Sequence, residues 1–291
     1  MGQERTFKRR PIGVFDSGLG GLTVLRALID LLPDERIVYF GDTGRFPYGP
    51  KPRDEVLKYS LEITDVLLGY DMKTLVVACN SAAAAALPVL DAQLDIPVLG
   101  VIEPGLRAAI KTTRTGRVGV IGTVGTIASG AYQEVAAESD ADIELTCAAC
   151  PGFVEFVEAG DVDSDQVHVL AERLLAPVRD ADVDTLVLGC THYPLLARTI
   201  GDVMGRDVVL VSSADETAFA VRSMLEDAGL LTREPARGAQ GARGAQGVQG
   251  APPEARDLRH VFLTSGPVDT FRTLGVRFLG PEVESVTAHE W

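Results

Sequence analysis

No stretch of these 291 residues approaches the ~20 consecutive apolar residues that a membrane span needs. Cations are also scarce, 27 Lys and Arg against 41 Asp and Glu, for a formal charge of −14. The first shortage argues against a membrane protein. The second argues against nucleic acid or an anionic membrane surface as a partner, because both would repel the chain. His and Cys number only four each. No His pair stands at i, i+4, and no second Cys or His pair accompanies Cys147-Ala-Ala-Cys150, so metal catalysis is not expected and that Cys-x-x-Cys reads as two small core residues beside the Pro151 turn. So few cysteines in a chain this long, behind a start that lacks the apolar core of a signal peptide, point to reduced thiols in a cytoplasmic protein.

What the sequence does have is a matched pair of thiols. Thr74-Leu-Val-Val-Ala-Cys79-Asn-Ser81 and Thr185-Leu-Val-Leu-Gly-Cys190-Thr-His192 are each an apolar run that stops at a cysteine followed by small hydrogen-bonding residues. Such a run is what a fully buried parallel strand looks like, and its carboxyl end faces the crevice where open α/β sheets bind ligands. Either cysteine alone would read as an ordinary buried residue. Two of them in near-identical peptides, each beside polar residues, read as a catalytic pair.

Strands are expected near 12–16, 37–41, 74–79, 97–101, 117–122, 142–147, 184–190, 208–212 and 259–264, most of them separated by stretches of helical length. This alternation implies βα units and parallel sheets. Leu22, Leu25, Leu28, Ile29 and Leu32 recur at helical spacing before Pro33. A second echo, Ile12-Gly-Val-Phe-Asp-Ser-Gly18 with Val118-Gly-Val-Ile-Gly-Thr-Val124, falls at nearly the same offset as the cysteine echo and suggests two pseudo-equivalent halves. Residues 235–256 differ in kind. Gly recurs every third position there among Ala, Gln, Arg and Pro, with nothing apolar to fold around, so a disordered insertion is expected.

Several presumed strand tips carry polar groups: Asp16-Ser17, Asp42-Thr43, Cys79-Asn80-Ser81, Gly122-Thr123, Cys190-Thr191-His192 and Ser212-Ser213. Gly18-Leu-Gly-Gly21 opens a helix but matches neither a dinucleotide fingerprint nor a P-loop, so a carboxylate is the preferred ligand for that turn. A thiol doing proton transfer at neutral pH must be drawn toward ionisation by a helix amino end or a partner base, and Asp16 and His192 are the candidates.

Taken in order, Asp16-Ser17-Gly18, the loop Gly41-Asp-Thr-Gly-Arg-Phe-Pro-Tyr-Gly-Pro50, Cys79-Asn80-Ser81 and Gly189-Cys190-Thr191-His192-Tyr193-Pro194 resemble the glutamate racemase family of bacterial cell-wall synthesis. The resemblance runs from about residue 12 to 230. It resumes in the tail from Val261 through Phe278-Leu-Gly-Pro281, which looks like the family's actinobacterial members; the glycine triplets are foreign to it. It implies an α/β fold of two pseudo-symmetric domains with mainly parallel sheets and the active site in the cleft between them, one domain spanning 1–101 plus 212–291 and the other 102–211. It also implies a cofactor-independent isomerase that inverts glutamate by two-base proton transfer, supplying D-glutamate for peptidoglycan. Cys79 would act on the D-isomer and Cys190 on the L-isomer, with Asp16 near the first thiol, His192 near the second and Glu158 as the acidic partner of that histidine. Read without the resemblance, Glu158 is equally well an exposed helix charge. Substrate contacts would come from Asp16, Ser17, Tyr48, Gly49, Asn80, Ser81, Thr123, Thr126, Thr191 and His192. Ser81 stands where the family more often has Thr, which keeps the hydroxyl. A homodimer is the family's habit, and some members are reported to restrain DNA gyrase, a second role for an acidic protein. Aspartate is the competing substrate.

Overall fold

The computed structural model describes residues 7–232, 260–280, 282–283 and 285–291, so the glycine-triplet run at 235–256 lies outside the described residues. Among these, the strands are β1 (Ile12–Asp16), β2 (Ile37–Gly41), β3 (Thr74–Val77), β4 (Val98–Gly100), β5 (Arg117–Gly122), β6 (Glu144–Ala149), β7 (Thr185–Gly189), β8 (Val209–Ser212), β9 (His260–Thr264) and β10 (Val286–Ala288). They form a six-stranded sheet ordered β10-β9-β2-β1-β3-β4 and a four-stranded sheet ordered β6-β5-β7-β8. Every pairing is parallel.

The central strands β1, β2, β3 and β7 are buried along their whole length, which is why each reads as an unbroken apolar run. Helices fill the crossovers. In Leu22–Leu31 the fully buried Leu22, Leu25 and Leu28 form the inner stripe, each contributing about 1.5–3 kcal/mol of burial, and the helix ends before Pro33. The helix Ser213–Asp227, which leads the chain from the second sheet back toward the first, packs on both Leu22–Leu31 and Ile102–Thr112. One continuous core accordingly takes in the six-stranded sheet and the face of the other sheet that presents Val118, Val120, Val187 and Val211. A smaller core lies on that sheet's opposite face, around Phe153, Leu186, Leu188 and Tyr193.

The duplication heard in the sequence is visible in strand order. β2-β1-β3-β4 in one sheet corresponds to β6-β5-β7-β8 in the other, so the two echoing peptides are the first strands, β1 and β5, and the two cysteine peptides are the third, β3 and β7. In each sheet the chain changes its direction of strand addition between first and third strand. Open parallel sheets leave a ligand crevice at the carboxyl ends of strands around such a switch.

Candidate active site

One narrow crevice, about 300 Å³ of atom-free space including its mouth, is lined from the first sheet by Ser17, Phe46, Pro47, Tyr48, Gly49, Cys79, Asn80 and Ser81, and from the second by Thr123, Val154, Cys190, Thr191 and His192. The two thiols therefore share one space, reached from the tips of equivalent strands. All four cysteines are free. Cys147 lies inside β6 and Cys150 follows it, and burial holds these thiols up at about 11 and about 12.

The surroundings of the two crevice thiols differ. Cys79 is the residue before the first turn of the helix Asn80–Gln93, in extended backbone conformation, and its Sγ lies 3.6 Å from the Ser17 hydroxyl. Burial and the neighbouring Asp16 carboxylate push this thiol up to about 12, against the pull of the Ala82 amide and of Ser17. Cys190 instead precedes a short 3-10 turn, Tyr193–Leu196, and its Sγ lies 3.9 Å from His192 Nδ1. On the far side of the ring, His192 Nε2 meets Glu158 Oε1 at 2.7 Å. His192 is buried, which by itself would depress its imidazole; the hydrogen bonds to Cys190 and Glu158 outweigh burial and lift it to about 10. The first half-site thus favours a neutral thiol, and the second an imidazolium beside sulfur.

Asp16 behaves differently from the sequence expectation in two respects. Its Oδ2 accepts from the Gly21 amide at 2.9 Å and the Gly18 amide at 3.3 Å, so the carboxylate held by the glycine turn is the chain's own. Its negative charge also opposes ionisation of Cys79 rather than assisting it. Burial raises the Asp16 carboxyl itself, while the charge on His192 pulls it down, and Oδ1 has no hydrogen-bond partner among the described residues.

The remaining expected residues gather at the same tips. Ser81 Oγ lies 2.9 Å from Thr123 Oγ1 and 3.2 Å from Thr126 Oγ1, joining the two sheets by hydroxyls. Asn80 Nδ2 donates to Tyr132 Oη at 3.0 Å, while Asn80 Oδ1 is buried with no partner. The Gly125 amide donates to the Gly49 carbonyl at 2.9 Å, and a Cβ on Gly49 would come within 2.8 Å of Thr123, so this position must be glycine for the loop to reach across. Gly20 is tighter still: a Cβ there would sit 2.2 Å from Thr191 Oγ1 and 2.5 Å from His192 Nδ1. Tyr48 donates through its hydroxyl to buried Asp42. Thr126 stands behind the lining, bonded to Ser81 and Thr123.

Phe46 and Phe278 escaped the sequence reading of the site. Each ring centroid lies 5.9 Å from that of His192, Phe46 tilted and Phe278 edge-on. Phe46 stood inside a peptide already singled out as an ordered loop, while Phe278 belongs to the helix Val268–Leu279 and carries no local signal of a site. Among the described residues no cluster of three His, Cys, Asp or Glu is placed to hold a metal ion, and no helix is long and apolar enough to cross a membrane.

An α/β protein that places two cysteines, one with a carboxylate and one with a histidine–glutamate pair, in a single crevice between matching sheets has the equipment of an enzyme that moves protons. Residues 13–234 match the Asp/Glu/hydantoin racemase family. The chain is 50% identical over 277 residues to a protein named glutamate racemase from Parafrankia, covering 95% of this chain and 93% of that one. Its fold superposes on the crystal structure of a glutamate racemase isoform from Bacillus anthracis with a TM-score of 0.85 at 40% identity, covering 98% of both chains. It also superposes on glutamate racemase from Francisella tularensis in complex with D-glutamate, with a TM-score of 0.84 at 31% identity, covering 97% of this chain and 98% of that one. The chain belongs to the Asp/Glu/hydantoin racemase family and is an isomerase.

Proposed function

We propose that this protein interconverts L- and D-glutamate by proton transfer between Cys79 and Cys190, without a cofactor. The carrying observation is that both thiols line one crevice from the tips of equivalent strands. Inverting a stereocentre requires removal of the Cα hydrogen from one face and delivery of a proton to the other, and one base cannot reach both faces of a held substrate. In the L to D direction Cys190, as thiolate, takes the Cα proton while His192, charged by its contact with Glu158, stabilises the anionic sulfur before transfer. The electron pair left on Cα is delocalised into the carboxylate, and Cys79, as thiol, returns a proton to the opposite face. The enzyme is then left with Cys79 ionised and Cys190 protonated, the form that runs D to L.

The asymmetry of the half-sites supports this assignment, since burial and Asp16 disfavour a thiolate at Cys79, while the raised His192 imidazole stands 3.9 Å from the Cys190 sulfur. Asn80 Oδ1, an acceptor buried in the crevice lining without a partner, suits a substrate ammonium. Ser17, Ser81, Thr123, Thr191 and the backbone amides beside Tyr48 and Gly49 supply hydroxyl and N–H donors for the carboxylates, with Thr126 holding the Ser81–Thr123 pair in place. D-glutamate supply for peptidoglycan, a cytoplasmic address and a homodimeric assembly go with this reading. Glutamate is preferred to aspartate because the relatives above carry that name and one of them was crystallised with D-glutamate. Incubation with L-glutamate and L-aspartate separately, followed by chiral chromatography, tests the choice: D-glutamate is expected, and turnover of aspartate alone overturns it.

A further inference from the structure

We infer that Trp291 is a positioning residue for the crevice wall at Phe46–Gly49, acting through the guanidinium of Arg45. The inference rests on the glutamate reading above. β10 brings the chain alongside β9, and the His289 amide extends that pairing by donating to the Thr264 carbonyl at 2.7 Å. His289 and Trp291 then fold over Phe40 of β2, each with its ring centroid 5.5 Å from that of Phe40. The indole lands on Arg45, whose Cζ stands 3.6 Å from the Trp291 ring centroid and 4.1 Å from that of Tyr59, so the flat cation is sandwiched by two rings.

From Arg45 the connection runs directly to the crevice. Its Nε donates to Asp42 Oδ2 at 2.7 Å, and another of its nitrogens meets Glu62. The same Asp42 oxygen accepts the Tyr48 hydroxyl, and Asp42 Oδ1 accepts that of Ser265. Tyr48 and Gly49 line the crevice, and Gly49 is tied to the second sheet through Gly125. Arg45 Nη2 is buried without a hydrogen-bond partner; on its flat faces the guanidinium is held by the aromatic sandwich, not by a third acceptor. Loss of one face frees Arg45 to tilt, and Asp42 then loses the donor that fixes it under Tyr48.

Because Tyr48 and Gly49 contact substrate in this scheme while the thiols sit on other elements, loosening the wall weakens binding and spares the chemical step. Racemisation of glutamate should show, for Trp291→Ala, a KM raised about two- to fivefold, the range a partly exposed cation–π contact is worth, with kcat within about twofold. Trp291→Phe should restore the wild-type KM. Arg45→Met should raise KM further, and adding Trp291→Ala to it should change nothing more, since the indole acts through Arg45. An unchanged KM in Trp291→Ala, or effects of the two substitutions that simply multiply, overturns the inference. Amide hydrogen exchange needs no substrate and separates this outcome from failure of the glutamate reading: the Arg45 and Lys51 amides, which bond to the Asp42 and Tyr48 carbonyls, should exchange faster in Trp291→Ala. Unaltered exchange there contradicts the inference even if glutamate is not turned over.

Discussion

Glu158→Gln isolates the charge that the account places behind Cys190. The substitution keeps an acceptor oxygen, so the 2.7 Å contact with His192 Nε2 can survive as a neutral hydrogen bond. What disappears is the anion that, with Cys190, overcomes the cost of a buried imidazolium. An opposite charge this close typically moves a pKa by about 1–3 units, and each unit is about 1.4 kcal/mol. The Glu158 side chain is 21% exposed, which argues for the low end of that range. The His192 imidazole should therefore fall from about 10 by about one unit, which leaves the imidazolium nearly full at neutral pH and cuts its population by up to about tenfold as the pH rises to 10 and beyond. The sign is fixed: a raised imidazole supports activity below its pKa and loses that support above it, so the alkaline limb of kcat/KM must move to lower pH. The two enantiomers have equal free energy in water, so kcat/KM must drop by one common factor in both directions, which gives the assay an internal control. Polarimetry starting from each enantiomer between pH 6 and 10 reads both quantities. Wild-type kcat/KM across that range in a folded Glu158→Gln protein would refute the charge argument.

Three further outcomes follow from specific contacts. Cys79→Ala and Cys190→Ala should each abolish racemisation, measured by chiral chromatography, and full activity in either variant would end the two-base scheme. Gly20→Ala should cost about a hundredfold in kcat/KM with little change in melting temperature, because its Cβ can be accommodated only by moving Thr191 and His192, and displacing a catalytic group by about 1 Å has that scale of effect. Lys73→Met should destabilise the fold by about 3–5 kcal/mol. Lys73 Nζ is fully buried, 2.6 Å from Glu35, and also donates to the carbonyls of Lys8 and Leu230; a urea midpoint that does not move would contradict this.

Much of the fold was legible because parallel strands buried on both faces must be apolar throughout, and β1, β2, β3, β5 and β7 advertise themselves that way. β10 was missed: three residues, half-exposed or exposed, at the edge of the sheet carry no such run. The strand tips displayed most of the site, since polar residues immediately after a buried strand have few places to be except the crevice. Pairings across sequence were hidden. Glu158 is as plausible an exposed charge until the helix Phe153–Glu158 is seen to bring it to His192, and nothing near Phe278 or Trp291 announces what they touch. The sense of Asp16 was also hidden, because whether a carboxylate helps or hinders a thiol depends on burial and on which amides it already accepts from. Lys73 with Glu35 lay in the same blind spot: two charges far apart in sequence that only the fold buries together.

The claim that two thiols work from opposite faces of one carbon is tested most directly by isotope incorporation. L-glutamate turned over briefly in D₂O should give D-glutamate carrying deuterium at Cα, delivered by Cys79, while the unreacted L-glutamate retains protium, because the proton removed by Cys190 remains on that side. Early D-glutamate that keeps the original hydrogen would mean that a single base carries it from one face to the other, and would contradict the account.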